Sequence, residues 1–345
     1  MSVLETTDSS EAEAHPVGLE QPLVEYAEYE DQRAYRKGGF HPVLLGDVLP
    51  KAGTCENDPA KKPRYQIWRK IANDAFSTIW LAHDRGDGDE DAGRGWVLVK
   101  IWKGSTHDQW EWNRETLILR HLQTAGPGGT LAHPTVLELY DSFIIKGPNG
   151  FHNCLVTEVV GRYDDFVHRR RYTCCPPGTV MEQVVAGVAR LHQEGIAYGD
   201  IREMNIGVAI PKIQELDHGD FGTMNEIHPV VIRDTEPDGA DAAQPPYIVS
   251  CEGFDLTACA NEKNALPTLD EVAIKIIDYD RAFWVEQPPR SLPGTCSSSN
   301  TPPEIFVLDW PGQETEATHW TEKSDIWALA VLVRPFSFSF RIAAP

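Results

Sequence analysis

The stretch "AYGDIREMNIGV" (Ala197–Val208) decides how the rest of the chain is read. It sets one acid, Asp200, five residues before an amide, Asn205, with a cation, Arg202, between them. Those three groups can orient a hydroxyl, steady a phosphate and ligate a hard cation, yet the same residues also occur in ordinary turns, so the surroundings carry the decision. Upstream, "TVMEQVVAGVARLHQEG" (179–195) places Met181, Val184, Val185, Val188 and Leu191 on one helical stripe. Thr179 and Glu182 have capping-box spacing, and Gly195 marks the end. Downstream, residues 209–270 break the rhythm with Pro, Gly and Asp and read as an insertion. "VAIKIID" (272–278) then resumes as a strand with Asp278 at its C-terminal end.

Working outward, "FSTIWLAHD" (76–84) and "WVLVKIW" (96–102) are rich in aromatic and β-branched residues and predict strands, with "RGDGDEDAGRG" (85–95) as a polar hairpin tip. In "THDQWEWNRETLILRHLQ" (106–123), Glu115, Ile118, Leu119 and Leu122 fall on one helical face. A carboxylate on an apolar face is costly unless a cation meets it. "HNCLVTEVV" (152–160) reads as another strand. "SDIWALAVLV" (324–333) starts an apolar helix with Ser324 as its cap, and Pro335 is expected to stop it. Strands, one helix, strands, then helices predict an α+β chain with two lobes. Residues 65–160 form the first lobe and 161–335 the second, with 1–34 as a disordered acidic segment, 35–64 as an extension and 336–345 as an irregular tail.

Composition narrows the function classes. The 345 residues carry a net charge of −21, which argues against a direct nucleic-acid surface, since phosphate backbones demand clustered Lys and Arg. Nine acids precede the first Arg or Lys, Arg33, a composition that favours disorder over a packed core. "HRRRY" (168–172) reads as a solvated helix face, and Cys174–Cys175 as a loop pair. No CxxC spacing occurs among the seven cysteines, and no apolar run suits a leader or a membrane span. These features predict a cytoplasmic or nuclear protein without a membrane or zinc framework.

Lys100, Glu115, Asp200, Asn205 and Asp278 follow one another on matching elements. Each alone is ordinary, but together they are what a Mg-nucleotide phosphotransferase needs: a phosphate-gripping lysine, its carboxylate partner, an acid for the hydroxyl, and an amide and an acid for the metal. Here the chain resembles the eukaryotic protein kinases. "VLVK" (97–100) resembles the Lys-bearing strand, "YGDIREMN" (198–205) the catalytic loop, "DYD" (278–280) the metal-binding triplet, "PPE" (302–304) the A-P-E motif, and Asp325 the acid that anchors the next helix. Within kinases it looks nearest to the SR-protein kinases, through "GGFHPVLLGD" (38–47), "FSTIWLAHD", "NGFHNCLVTEVVG" (149–161), "DYDRAFWV" (278–285) and the insertion at 209–270.

That resemblance implies a bilobal α+β fold, the second lobe ending before its last helices, that uses ATP and Mg2+ on a Ser/Arg-rich protein substrate. It implies that Lys100 pairs with Glu115 and grips phosphates, that Asp200 accepts the hydroxyl proton, that Arg202 steadies the γ-phosphate, and that Asn205 and Asp278 hold the metal. Ile71, Ala72 and Ser77 would then cover the nucleotide, with Thr157 as gatekeeper and Glu158 and Val160 meeting the adenine. The departures lie in "IANDAFS" (71–77), where Ala72, Asp74 and Ser77 replace glycines, and at Tyr198, Gly199, Tyr279 and Asp280. Asp74 either faces a bound polyphosphate or turns outward at a hairpin tip. Two other functions fit the same residues: a catalytically impaired pseudokinase scaffold, and an aminoglycoside- or choline-type phosphotransferase.

Overall fold

Alternation of β-branched and aromatic side chains builds one six-stranded antiparallel sheet from residues 48–157. Its strands are β1 (Val48–Leu49), β2 (Tyr65–Asn73), β3 (Ser77–Asp84), β4 (Gly95–Trp102), β5 (Leu139–Gly147) and β6 (Gly150–Thr157), in the order β1-β2-β3-β4-β6-β5. The computed structural model describes residues 29–87, 92–168, 176–222, 230–231, 244–251, 254–288, 300–306 and 320–339. The acidic segment up to residue 28, the centre of the 85–95 tip, nearly all of "HRRRY", the cysteine pair and the last six residues lie outside it, as does the side chain of Glu304.

β4 is covered on both faces, and period-two geometry sorts its side chains between them. Trp96 and Leu98 join the core shared with the helices, while Val97, Val99 and Ile101 join a second core with Val43, Leu49 and Cys55 of the N-terminal extension. Lys100 therefore falls on the helix side. It is paired with Ile79 of β3 and Leu155 of β6.

The helix α1 (Arg114–Thr124) crosses that face with Ile118, Leu119 and Leu122 buried. It starts later than the apolar pattern suggests, because Asn113 caps it: its Oδ1 accepts from Thr116 N at 2.9 Å. Residues 106–113 thus precede the helix. "HNCLVTEVV" likewise divides, β6 ending at Thr157 and a short β7 (Val160–Arg162) beginning after Val159.

The second lobe is largely helical, with α2 (Tyr163–His168), α3 (Pro177–Gln193), α4 (Leu256–Glu262), α5 (Pro303–Phe306) and α6 (Glu322–Ser339). Small strands supplement them: β8 (Ile196–Ala197), β9 (Ile206–Ala209), β10 (Val230–Val231), β11 (Tyr247–Ile248), β12 (Ile274–Ile276) and β13 (Phe283–Trp284). β12, β9 and β7 form one sheet, and β13 pairs with β8. Thr179 and Glu182 do not begin α3, since proline is pre-set for a first helical turn and the helix opens at Pro177. Thr321, rather than Ser324, receives the Lys323 amide at the start of α6 (3.2 Å). Pro335 lies within α6 and removes one rung without ending it. Ala328, Leu329 and Leu332 of α6 are buried, whereas Ile326 and Trp327 are exposed. No described helix is long and apolar enough to cross a membrane.

The insertion returns to the sheet. Gln214 brackets Trp96, its Oε1 accepting from Trp96 N (2.6 Å) and its Nε2 donating to Trp96 O (2.7 Å). Trp96 Nε1 donates to Leu216 O (2.8 Å), and Arg69 Nε to Phe221 O (2.9 Å). Farther along, Tyr247 OH accepts from Leu45 N (3.1 Å), and Val249 enters the outer core.

The extension is anchored by a buried histidine pair, His41 and His152, with ring centroids 4.7 Å apart. His152 Nδ1 donates to Trp102 O (2.9 Å). Burial lowers the His152 pKa from 6.5 to about 4 and lowers that of His41 as well. The unfolded chain therefore takes up a proton that the folded one refuses. Stability is full above the unfolded value of 6.5 and falls towards pH 4, by up to about 3 kcal/mol from His152. Urea unfolding at several pH values should show this acid slope, reduced by up to one proton in His152→Gln.

Candidate active site

Three elements deliver the first cluster. Glu115 sits in the first turn of α1, where a carboxylate suits the helix dipole, and is 2% exposed. Lys100 Nζ lies 2.9 Å from Glu115 Oε2 and 2.7 Å from Asp278 Oδ1. Glu115 also accepts from Trp102 Nε1 (2.9 Å) and from the Tyr279 amide (3.0 Å). Asp278 follows β12 in left-handed backbone, φ 64°, a conformation that strains a non-glycine residue. Burial alone would pull the Lys100 ammonium down, but Asp278 and Glu115 outweigh it and hold it well above its ordinary value. Burial raises Glu115, with Lys100 offsetting part of the rise.

The second cluster comes from the loop after β8. Asn205 Nδ2 donates to Asp200 Oδ2 (2.7 Å) and to Asp200 O (2.9 Å), which fixes the loop across its five-residue span. Arg202 Nε stands 3.1 Å from Asp200 Oδ2. Burial raises the Asp200 pKa, and Arg202 counters it. Tyr198 joins the clusters: its hydroxyl donates to the carbonyls of Ile277 and, at 3.1 Å, Asp278, and its ring meets Tyr279 edge-on at 5.5 Å.

A buried carboxylate supports this loop from below. Asp325 accepts from the amides of Tyr198 (2.7 Å) and Gly199 (2.8 Å), and His192 Nε2 lies 2.9 Å from it. Gly199 has φ +78°, a conformation that suits glycine. Its carbonyl accepts from Arg281 Nε at 3.1 Å.

The departures also acquire local explanations. Asp74 folds onto its own turn, accepting from Phe76 N (2.6 Å), Ser77 N (2.6 Å) and Ser77 Oγ (2.9 Å). The carboxylate thus caps the hairpin, and Ser77 is buried as its partner. Ala72 pairs with Ile79, one residue after the half-buried Ile71. Asp280 is raised to about 7 by burial and by Asp278, and its Oδ1 is buried without a hydrogen bond.

At the junction of the lobes, Thr157 Oγ1 donates to Glu158 O (3.2 Å) and Glu158 N to Glu138 O (3.1 Å). The Glu158 carboxylate lies 2.7 Å from Lys275 Nζ. Val160 opens β7, paired with Ala209. Lys100, Glu115 and Asp278 are thus in contact with one another, as are Asp200, Arg202 and Asn205. Sequence reasoning missed Trp102 and the capping by Asp74. A polar residue two or three positions before free turn amides is the signal that could have found Asp74.

No protein-family model matches the chain. Individual proteins do. Over 190 residues, 54% of the chain, it is 30% identical to serine/threonine-protein kinase spk-1 of Caenorhabditis elegans, of which the match covers 17%. It is 31% identical over 185 residues to serine/threonine-protein kinase SRPK of Physarum polycephalum, covering 52% of the chain and 39% of that protein. It is 30% identical over 184 residues to human SRSF protein kinase 3, covering 52% of the chain and 29% of that protein. The chain thus spans well under half the length of these curated relatives.

Removing the Asp325 carboxylate leaves two buried amides without acceptors. Asp325→Ala should cost about 2–5 kcal/mol in urea unfolding, with faster hydrogen exchange at residues 198 and 199. Asp325→Asn, which keeps one acceptor oxygen, should lose less.

Proposed function

We propose, for a chain that is a divergent relative of the SR-protein kinases, that it binds Mg-ATP between its lobes and transfers the γ-phosphate to Ser or Thr of a Ser/Arg-rich protein. The observation that carries this reading is the contact of Lys100 with both Glu115 and Asp278, a cation held by one carboxylate beside a second. Lys100 offers its ammonium to the α- and β-phosphates, and Glu115 keeps it from collapsing onto other partners. Asp200 accepts the proton of the attacking hydroxyl, and its raised pKa suits it to that exchange better than a solvated aspartate. Arg202 supplies positive charge to the transferred group. Thr157, Glu158 and Val160 frame the adenine, and Ile71, Ala72 and Ser77 cover the nucleotide.

The residues also fit Mg2+. Asn205 and Asp278 bring hard oxygen donors, and the orphaned Asp280 oxygen adds a third nearby. Among the described residues no three acidic, His or Cys side chains converge as a free-standing metal site, which suits an ion that arrives with the phosphates. When bound, Mg2+ neutralises phosphate charge and orients the nucleotide.

The net charge of −21 favours encounter with an Arg-rich substrate over an acidic one. The described cysteines Cys55, Cys154 and Cys259 are free thiols, in keeping with a cytoplasmic or nuclear setting. Purified chain with Mg-ATP and an Arg/Ser-repeat peptide should transfer phosphate. Asp200→Ala should lower kcat at least a hundredfold, and Lys100→Met should weaken both nucleotide binding and turnover. Equal transfer by Asp200→Ala would refute the assignment, and a thermal shift with Mg-ATP but no transfer by the parent chain would make it a binding scaffold.

A further inference from the structure

A cavity of about 390 Å³ opens between the N-terminal extension and the hairpin turn at residues 73–75. Its wall carries three cations, Arg33, Arg36 and Lys103, and three acids, Glu30, Asp31 and Asp74. By formal charge these balance, but Lys70 neutralises Glu30, which leaves three cations facing two acids. Glu30 is buried and engaged by Lys70 and by the Tyr35 hydroxyl. Asp31 caps the short turn after it, accepting from Arg33 N at 2.9 Å. Asp74 is committed to its own hairpin through three bonds.

Among the described residues no carboxylate forms an ion pair with Arg33, Arg36 or Lys103, although Asp74 and Asp31 act on Lys103 through space. The two arginines are exposed and three residues apart at the edge of one turn. Lys103 Nζ lies 4.4 Å above the Phe40 ring, which fixes its direction without neutralising it.

We propose that this cavity receives a phosphate monoester, with Arg33 and Arg36 as planar donors, Lys103 as a point charge and Phe40 as an apolar floor. Guanidinium groups match phosphate geometry through paired N–H donors. The chain's overall negative charge does not forbid this, because exposed charges beyond about 8 Å are screened at physiological salt. One small cavity with acids in its wall suits a single ester group and not a nucleic-acid backbone. The cavity borders the turn between Ala72 and Ser77 but is lined by none of Lys100, Glu115, Asp200, Arg202, Asn205 and Asp278, and the proposal does not depend on phosphotransfer.

The test uses the full chain without nucleotide. Fluorescence anisotropy would follow a labelled phosphoserine peptide, with its unphosphorylated counterpart and with O-phosphoserine as competitor. The phosphopeptide should bind and the unphosphorylated one should not. The double variant Arg33→Gln/Arg36→Gln, confined to exposed positions, should weaken binding at least tenfold, and Lys103→Met several-fold. Competition by O-phosphoserine at concentrations similar to the peptide identifies a free ester as sufficient; competition only at far higher concentration assigns the site to a modified protein. Equal binding of both peptides, no binding of either phosphate probe, or undiminished binding by the double variant would overturn the proposal.

Discussion

The contact between Lys100 and Glu115 is the constraint from which the rest of the structure can be argued. It is an ion pair with little access to water, so each partner commits the other. Removing one partner of such a pair costs about 3–5 kcal/mol, because the survivor is left charged in a poorly solvated place. Lys100 can face the helix side only because β4 alternates, and Glu115 can meet it only because α1 crosses that face. Asp278 completes the arrangement from the second lobe, so one ammonium ties together a strand, a helix and the segment after β12. Tyr198 extends that tie to the loop holding Asp200 and Asn205.

Much of this was legible in the amino-acid order, for reasons that differ by element. β4 was readable because its side chains alternate between two apolar environments around a single lysine. The helical face of Glu115, Ile118, Leu119 and Leu122 was readable because three apolar residues at that spacing have few other uses. β2 was not, because Arg69 and Lys70 sit inside it; both are buried, one hydrogen-bonded to Phe221 O and the other paired with Glu30. Those partners are far away in sequence, where pattern reasoning does not reach. The start of α1 was hidden by Trp110 and Trp112, which prolong an apolar look that Asn113 terminates. Pro335 misled in the opposite direction, since a helix anchored by Ala328, Leu329 and Leu332 survives the loss of one backbone bond.

At the site, residue types were easier to read than environments. The spacing of Asp200, Arg202 and Asn205 was visible, but not that Asp325 accepts the two preceding amides from more than a hundred residues away. Asp74 offers the clearest contrast. As a letter in place of a glycine it suggests repulsion of a polyphosphate, about 4 kcal/mol at 4 Å near a surface. As a folded side chain it supplies the hydrogen bonds that hold a non-glycine turn in shape, and that use of its oxygens weakens the repulsion argument.

The return of the insertion to the sheet carries a mechanical corollary. The lobes are joined covalently through residues 157–160 and again, non-covalently, where Gln214, Leu216 and Phe221 hold Trp96 and Arg69. The Lys100–Asp278 ion pair and the Tyr279–Glu115 hydrogen bond add a third fastening. A body pinned at one point can tilt in any direction, and one pinned at two only about the line that connects them. A third hold away from that line resists even this rotation, so any swing of one lobe against the other has to break the Lys100–Asp278 pair.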